Sequence, residues 1–401
     1  MAKSFISTGI DIGSDSIKIL VTTKKSSDGS TQVLVQNSEP AEGMRKGVVV
    51  KPQKVSNIIK SLVKKASQQI GRDINSVYVN LGGSHLFSTS SQGLISVSRA
   101  DRKISQEDIN RVLKEAKTFS LPSLKEVFDS FPKEFIIDGQ EGIKEPLGLK
   151  GVRLEAKVLV LGAFSPYLEN LTQSVLDADV QISDILASPL ASARAVLSAR
   201  ERELGVIVID IGAGNTGISV FEEGNLIHLN AFPIGSSNIT NDIAIGLKTD
   251  IDIAEKIKKE YGTCKAGRDS KKKIEIEEKD LTFSKRDLVK IIEPRVKEIF
   301  EQVQNDLKEI GKDGTLPAGV VITGGGAKLP GIKDLAKDEL GLPVKIGEAK
   351  GFVPAIEDTS WATACGLTQR GFDEREDKSF SPSWMKGIGS KIKNIFRIFI
   401  P

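Results

Sequence analysis

Two short segments of identical sequence lie about half the chain apart. Ile-Asp-Ile-Gly occurs at positions 10–13 and again at positions 209–212 of the 401-residue chain. Each segment follows or contains an apolar, β-branched run, which is clearer in the second at residues 206–209. Each then breaks at small residues and is followed by a second strand-like run. Each therefore predicts a strand, a tight turn and a second strand. Because this unit occurs twice, the sequence predicts two related halves.

Helical and strand patterns alternate along the rest of the chain. Apolar residues at helical spacing predict helices at residues 55–70, 107–119, 167–177, 253–261 and 285–310. The last of these is long and charged, and Pro294 predicts an interruption in it. Strand patterns occupy residues 76–81, 157–162, 205–210, 319–323 and 344–346. This alternation predicts an α/β fold built from layers of helices and sheets.

Both repeated turns carry residue types suited to phosphate binding. Glycine lets backbone N–H groups approach a phosphate closely, and hydroxyl side chains add donors. Aspartates at the strand ends are placed to hold water on Mg²⁺, which binds through one or two carboxylates plus phosphates. One such turn alone favours an ordinary hairpin, whereas two copies favour a phosphate site. The candidate residues are Asp11, Gly13, Ser14, Asp15 and Ser16, then Asp210, Gly212, Ala213, Gly214, Asn215 and Thr216, with Asp11 and Asp210 as the candidate metal ligands.

A glycine triplet and a charged helical pair are further candidates. A buried strand that ends in glycines leaves bare backbone for a base or ribose, although a flexible turn has the same pattern. This segment consists of Gly324, Gly325, Gly326 and Ala327. It fits neither a Walker loop nor a dinucleotide fingerprint. Glu255 and Lys258 share a helix face and form either ribose contacts or a solvated surface pair.

Composition excludes several classes of protein. The N-terminus lacks the apolar core of a signal peptide, and no apolar run reaches the ~20 residues that span a bilayer. The cysteines and histidines show no metal-ligand spacing, and the cysteine usage fits a reducing, cytoplasmic compartment. The net charge of +3 depends on four cations within residues 383–401, a segment without acids. A nucleic-acid binder normally carries its excess charge on a folded domain, so no nucleic-acid partner is expected.

The C-terminal segment has the pattern of an amphipathic helix. At about 100° per residue, its apolar face contains Trp384, Met385, Ile388, Ile392, Ile395, Phe396 and Phe399. The opposite face carries Lys386, Ser390, Lys393, Asn394 and Arg397, and Lys391 lies near the border. Such a helix is suited to lie among lipid headgroups, with its cations over anionic lipid. The alternative is a terminal helix packed on the protein's own core, and the absence of acids favours the membrane.

The order of these motifs carries a resemblance to a known superfamily. The two Asp-led turns are followed by Ala-Glu-Lys-Ile-Lys at 254–258 and Thr-Gly-Gly-Gly-Ala at 323–327. This order resembles actin, the heat-shock chaperone ATPases and the sugar kinases. Within that superfamily the chain is similar, over nearly its whole length, to the FtsA family of bacterial cell-division proteins. Ile-Thr-Asn-Asp-Ile-Ala at 239–244 and the C-terminal helix add to the resemblance.

The resemblance implies an actin-like ATPase fold. Two duplicated α/β halves would surround a nucleotide cleft, with an inserted α+β subdomain and a C-terminal amphipathic helix. The implied domains are a first half at 1–82, 162–195 and 350–370, an inserted subdomain at 83–161, a second half at 196–246 and 317–349, a small subdomain at 247–316, a flexible linker at 371–382 and a membrane-targeting helix at 383–401.

The resemblance also implies cofactors and partners. These are ATP and Mg²⁺ in the cleft, further copies of the chain in a filament, the C-terminal tail of FtsZ, anionic membrane lipids and other division proteins. The expected location is the cytoplasmic face of the membrane at the division septum. Related ATPases commonly carry an acid or amide where this chain has Ser188. Serine positions a water molecule poorly compared with a carboxylate, so at most slow ATP hydrolysis is expected.

Two other functions fit the same fold. One is a PilM-like adaptor of a pilus or secretion machine, which would have a similar inserted subdomain but usually no basic amphipathic terminus. The other is a sugar or carboxylate kinase, which would need a catalytic carboxylate and a second substrate pocket, and would have no use for such a terminus.

Overall fold

The computed structural model describes residues 5–25, 30–118, 121–265, 273–276 and 281–380. Within them, helices α1 to α10 are Pro52–Ile70, Gln106–Glu115, Ser165–Leu176, Ser188–Val196, Ala199–Leu204, Ser236–Leu247, Ile251–Tyr261, Lys285–Glu309, Ile332–Leu340 and Ala362–Phe380. Strands β1 to β19 are Ile6–Ile12, Ser16–Lys24, Thr31–Pro40, Met44–Arg45, Val48–Val49, Ser76–Leu81, Phe87–Ser96, Lys125–Ile137, Gln140–Ile143, Arg153–Phe164, Gln181–Ala187, Val206–Ile211, Thr216–Glu222, Asn225–Phe232, Lys273–Ile276, Leu281–Ser284, Val320–Thr323, Val344–Ile346 and Phe352–Val353.

The first half is built on a six-stranded sheet in the order β11-β6-β1-β2-β3-β19. β1 runs antiparallel to β2 and parallel to β6. α10 packs against β1 and α4, and α1 packs against β2, β3 and α3. Nearly every residue of β1 is buried. Ile10 and Ile12 pack in the apolar core of this half. A Cβ at Gly9 would lie 2.8 Å from Leu367 Cβ on α10, so a small residue is needed where the helix crosses the strand.

The second half repeats this topology. Its sheet has the order β14-β13-β12-β17-β18, in which β12 is antiparallel to β13 and parallel to β17. β12 thus corresponds to β1, and β17 to β6, in both order and direction. The two β-turn-β units therefore occupy equivalent positions in two sheets, and the predicted α/β fold of two duplicated halves is confirmed.

An inserted subdomain lies between β6 and α3. It consists of a four-stranded sheet in the order β7-β10-β8-β9 with α2 packed against β7 and β10. α2 begins with a capping box in which Ser105 and Asp108 satisfy each other's backbone N–H groups. Ile109 and Val112 on α2 meet Leu154 on β10 in a separate apolar core.

Four helices and a short hairpin extend the second half. α6, α7, α8 and α9 join the β15-β16 hairpin in an apolar core that is continuous with the second sheet. The predicted interruption at Pro294 is wrong, because α8 runs through this residue. Buried residues on both sides of the proline, Ile292 and Val296, anchor both parts of the helix in one core. That packing offsets the loss of one helical hydrogen bond.

The predicted flexible linker is also partly wrong. α10 continues through residues 371–380, where the sequence from Phe372 to Phe380 contains no proline or glycine and several strong helix formers. The Phe372 ring packs edge-on against Phe5 with centroids 5.9 Å apart. The predicted membrane helix at 383–401 lies outside the described residues. Among the helices that are described, none has the length and hydropathy needed to cross a bilayer.

Candidate functional site

The two repeated turns lie against each other between the halves. In each turn the first glycine donates its N–H to a carbonyl three residues on, from Gly13 to Ser16 at 3.2 Å and from Gly212 to Asn215 at 2.9 Å. Gly214 approaches Ser14 so closely that a Cβ at position 214 would lie 2.6 Å from the serine Oγ. The equivalent turns of the two halves therefore meet at one place.

Helix α6 fixes the backbone of the second turn. Its first residues, Ser236 and Ser237, donate backbone N–H groups to the carbonyls of Gly212 and Ala213, each at 2.9 Å. A side chain at Gly235 would collide with the same carbonyls. The second turn is thereby held rigidly against the start of a helix, whose N-terminus favours nearby negative charge.

A cavity of about 530 Å³ opens at this meeting point. It brings together most of the residues that the sequence singled out. Those that line it are Asp11, Gly13, Ser14, Asp15, Ser16, Asp210, Gly212, Ala213, Asn215, Glu255, Lys258, Gly324, Gly325 and Gly326. Segments nearly the whole chain apart thus contribute to one site, as the two-turn hypothesis requires.

Three candidate residues do not line the cavity. Thr216 is fully buried and its hydroxyl donates to the carbonyl of Ile234 at 2.8 Å, so this side chain stabilises the second sheet. Ala327 packs in the apolar core of the second half. Gly214 contacts the first half at Ser14 and Lys46. The sequence predicts all three near the site, but it does not show whether each residue faces the cavity or the protein interior.

The carboxylate of Asp11 is held on both oxygens. Oδ2 pairs with Lys18 Nζ at 3.3 Å, and Oδ1 accepts from Asn80 Nδ2 at 3.0 Å. Asp11 is 7% exposed, and what remains accessible faces the cavity. This acid is therefore presented to the cavity in a defined orientation.

The second acid, Asp210, is partly buried at the end of β12 and lines the same cavity. Thr363 donates to its Oδ2 at 3.3 Å. Burial, together with the charge of Asp11, raises the pKa of Asp210 to about 6. A Cβ at Gly324, whose φ is +84°, would lie 2.4 Å from Asp210 Oδ1. Glycine is therefore required at position 324 both for its left-handed backbone and for the space that it leaves beside the carboxylate.

The donor set fits a hydrated magnesium ion better than an ion bound by protein alone. Within the part of the chain that the structure describes, no group of three or more His, Cys, Asp or Glu side chains could hold a metal ion. Asp11 and Asp210 face one cavity and repel each other. A divalent cation would relieve that repulsion, and Mg²⁺ typically binds one or two carboxylates while keeping water and phosphate ligands.

Glu255 and Lys258 belong to a partly buried network. Lys258 Nζ donates to Thr240 Oγ1 at 2.7 Å and pairs with Glu255 Oε2 at 2.7 Å. Thr240 in turn donates to Glu255 Oε2 at 2.5 Å. Because the Lys258 side chain is only 11% exposed, the interpretation of a solvated surface pair is wrong. Both side chains line the cavity in a fixed arrangement.

Several further polar residues line the cavity, and most of them had no signal in the sequence. Lys18 follows the first turn on β2, and Asn80 and Ser188 come from β6 and α4. Lys328 and Thr363 also line the cavity. Lys18 had a recognisable clue, since it is a charged residue within an apolar strand, and Ser188 had another, since related ATPases commonly carry an acid or amide at this position. The others depend on sheet order, which a single sequence does not reveal.

The fold and the shared cavity define an actin-like protein. The PilM-PilN type IV pilus biogenesis complex contains a similar chain, with a TM-score of 0.66 and 18% identity over 91% of this chain and 98% of that one. MreB5 of Spiroplasma citri, solved with bound ADP, gives a TM-score of 0.56 and 13% identity over 93% of this chain and 98% of that one.

Sequence comparison narrows this class to one family. The family model described as cell division protein FtsA matches residues 207–366, and the SHS2 domain inserted in FtsA matches residues 83–161. Cell division protein FtsA of Pseudomonas aeruginosa is 34% identical over 377 residues, which cover 92% of this chain and 90% of the relative. The chain belongs to the FtsA family of actin-like cell division proteins.

Proposed function

We propose that this chain binds ATP with Mg²⁺ between its two halves, polymerises on the inner face of the membrane and tethers FtsZ filaments there. The observation that carries the proposal is the cavity into which both Asp-led turns open. A nucleotide in this cavity would contact both halves at once. Binding would therefore favour one relative arrangement of the halves, which is a requirement for ATP-dependent assembly.

The chemistry of the cavity residues suggests which part of the nucleotide each would contact. Backbone N–H groups and hydroxyls of the two turns, at Gly13–Ser16 and Gly212–Asn215, would hold the phosphates. Asp11 and Asp210 would orient water on the cation, which when bound neutralises phosphate charge. Glu255 and Lys258 would contact ribose hydroxyls, and the bare backbone of the triplet at 324–326 would lie against the sugar or base. MreB5, solved with ADP, supports nucleotide binding within this fold class.

Hydrolysis is proposed to be slow. The helix α4 begins at the cavity with Ser188, whose Oγ accepts from Asn80 Nδ2 at 2.9 Å. A hydroxyl engaged in this way is a weak general base compared with a carboxylate. Bound ATP would therefore act mainly on the arrangement of the halves.

Residues 383–401 are proposed to attach the protein to the cytoplasmic face of the membrane at the septum. Each basic residue near an anionic surface contributes on the order of 1 kcal/mol, so a single tail binds modestly and reversibly. A filament presents many tails at once and raises their effective concentration. Assembly and attachment would thus support each other. The small subdomain at 247–316 is the proposed docking site for the FtsZ tail, and the subdomain at 83–161 is proposed to make filament contacts.

Truncation tests the attachment. A chain lacking residues 383–401 should no longer sediment with anionic liposomes, while the full chain should, and neutral liposomes should retain much less of either. Electron microscopy on an anionic lipid monolayer should show filaments of the full chain with ATP. Unchanged sedimentation of the truncated chain would refute the anchor. Strong stimulation of ADP release by a sugar would instead support a kinase.

A further inference from the structure

Asn80 is a buried amide with an unusually complete set of partners at the floor of the cavity. It is 4% exposed and lies near the end of β6. Its Oδ1 accepts from Ile12 N at 2.7 Å, and its Nδ2 donates to Asp11 Oδ1 at 3.0 Å and to Ser188 Oγ at 2.9 Å. One side chain therefore connects the first turn, β6 and the start of α4.

The position of Asn80 follows from the divergence of two strands. The parallel register between β1 and β6 pairs Ile10 with Val79 and extends no further. Beyond it, the side chain of Asn80 accepts the N–H of Ile12. Because that donor must face the amide oxygen, the orientation of the amide is determined, and its NH₂ group necessarily faces Asp11 and Ser188.

The consequence for Asp11 is a fixed carboxylate plane. Lys18 attracts one oxygen through its charge, and Asn80 holds the other through a directional hydrogen bond. Without the amide, the carboxylate would be free to turn toward Lys18 and pair with it more closely. A carboxylate engaged with an ammonium group is a poorer partner for the hydration shell of a cation.

We propose that Asn80 is a positioning residue that aims Asp11 at the cation of the bound nucleotide. This proposal rests on the proposed binding of Mg²⁺ and ATP. Asn80 itself would act through Asp11. Its removal therefore weakens the part of nucleotide affinity that depends on the cation and leaves the cation-independent part nearly unchanged.

The test compares ATP affinity with Mg²⁺ and with EDTA, using the fluorescence of N-methylanthraniloyl-ATP and the full chain. Asn80→Ala should bind about tenfold more weakly than wild type in Mg²⁺, since a hydrogen bond to a charged group is lost. In EDTA the two proteins should differ by less than about twofold. The matched control is Asn170→Ala, which removes an amide bonded to Val49 O at 3.1 Å in the same half, away from the cavity lining. It should leave both affinities unchanged.

A second variant protects the test against misfolding. If thermal unfolding shows that Asn80→Ala is not folded, Ser188→Ala removes one of the three anchors of the amide. Ser188→Ala should weaken ATP binding by about twofold or more, which is less than the effect of Asn80→Ala, and only when Mg²⁺ is present. Mn²⁺ titration of the protein–ADP complex, followed by electron paramagnetic resonance, should show weaker Mn²⁺ binding in the same variants.

The outcomes separate this proposal from the proposed function. If wild type binds ATP and Asn80→Ala has the same Mg²⁺ dependence and Mn²⁺ affinity as wild type, the role of Asn80 is overturned and the proposed function is not. Equal losses in Mg²⁺ and EDTA would assign Asn80 a purely structural role and would also overturn it. Wild type that binds no ATP in either condition would overturn the proposed function.

Discussion

At the scale of single residues, burial and direction decide what a side chain does. Thr216 and Asn215 are neighbours in the same turn, yet the Thr216 hydroxyl is used within the second sheet and Asn215 lines the cavity. Both residue types are suited to phosphate chemistry, so the sequence predicts both as site residues and does not show which of the two side chains faces the cavity. The sequence does not single out Asn80, because an isolated amide on a strand belongs to no recognisable motif.

His85 gives a prediction about pH. It lies where the inserted subdomain joins the first half, with Nε2 2.9 Å from Gly82 O and Nδ1 accepting from Phe164 N at 3.3 Å. Burial lowers the pKa of His85 to about 4, whereas in an unfolded chain it is about 6.5. Between these values the unfolded chain binds a proton that the native state excludes. The contribution of His85 to stability is therefore complete above about pH 6.5 and decreases as the pH falls toward 4.

The variant His85→Gln isolates this effect. Thermal unfolding is followed by circular dichroism at about pH 7.5 and about pH 5. The decrease in the midpoint temperature between these two pH values should be smaller in the variant than in wild type. The expected difference is roughly 2 °C or more. Carboxylates contribute equally to both proteins and cancel in the comparison. An identical pH dependence would show that His85 is not excluded from protonation.

At the scale of elements, periodicity predicted most helices and strands of the two halves, because their apolar faces are buried in layers. It failed where packing overrides local preference. Pro294 lies within α8 because buried neighbours hold the helix on both sides of it. Residues 371–380 were polar enough to predict a linker, but a helix extending from a buried start at Ala362 needs only helix-forming residues to continue.

The crossing of α4 and α10 leads to a prediction about stability. Gly366 on α10 lies so close to α4 that a Cβ would be 1.7 Å from Ala191 O. Gly366→Ala should therefore push the two helices apart and lower the free energy of unfolding by about 1–3 kcal/mol or more. Chemical denaturation measures the loss. The control is Gln369→Ala, one turn further along α10, which removes an exposed hydrogen bond to Lys350 O but introduces no clash and should therefore cost less. A variant as stable as wild type would show that this crossing is looser than the structure indicates.

At the scale of the whole molecule, the inserted subdomain contacts both halves. It is continuous with the first half through β6 and α3, and it also reaches the second half at β14. Ser88 Oγ donates to Leu229 O at 2.8 Å and accepts from Leu229 N at 3.1 Å. The adjacent His228 Nε2 lies 2.6 Å from Asp306 Oδ2 on α8. A change in the relative position of the two halves would therefore strain or move the contact between Ser88 and Leu229.

Removing the Ser88 hydroxyl should loosen the subdomain. In Ser88→Ala, amide hydrogen exchange should accelerate by about twofold or more in β7 and β14, because Leu229 N and O lose a shared partner. The neighbouring Ser90→Ala, which alters an exposed side chain on the same strand, should leave exchange unchanged. Equal exchange in wild type and Ser88→Ala would mean that other contacts hold the subdomain against the second half.

One nucleotide with its cation is proposed to lie between the two Asp-led turns. Calorimetric titration of the full chain with ATP and Mg²⁺ tests this proposal most directly, with Asp210→Asn as the variant and Asp313→Asn, an exposed acid, as the control. Wild type and the control should bind one ATP per chain with equal affinity. Asp210→Asn should bind at least about tenfold more weakly, since a charged partner of the hydrated cation is lost. Equal affinity in Asp210→Asn, or no binding by wild type, would contradict the proposal.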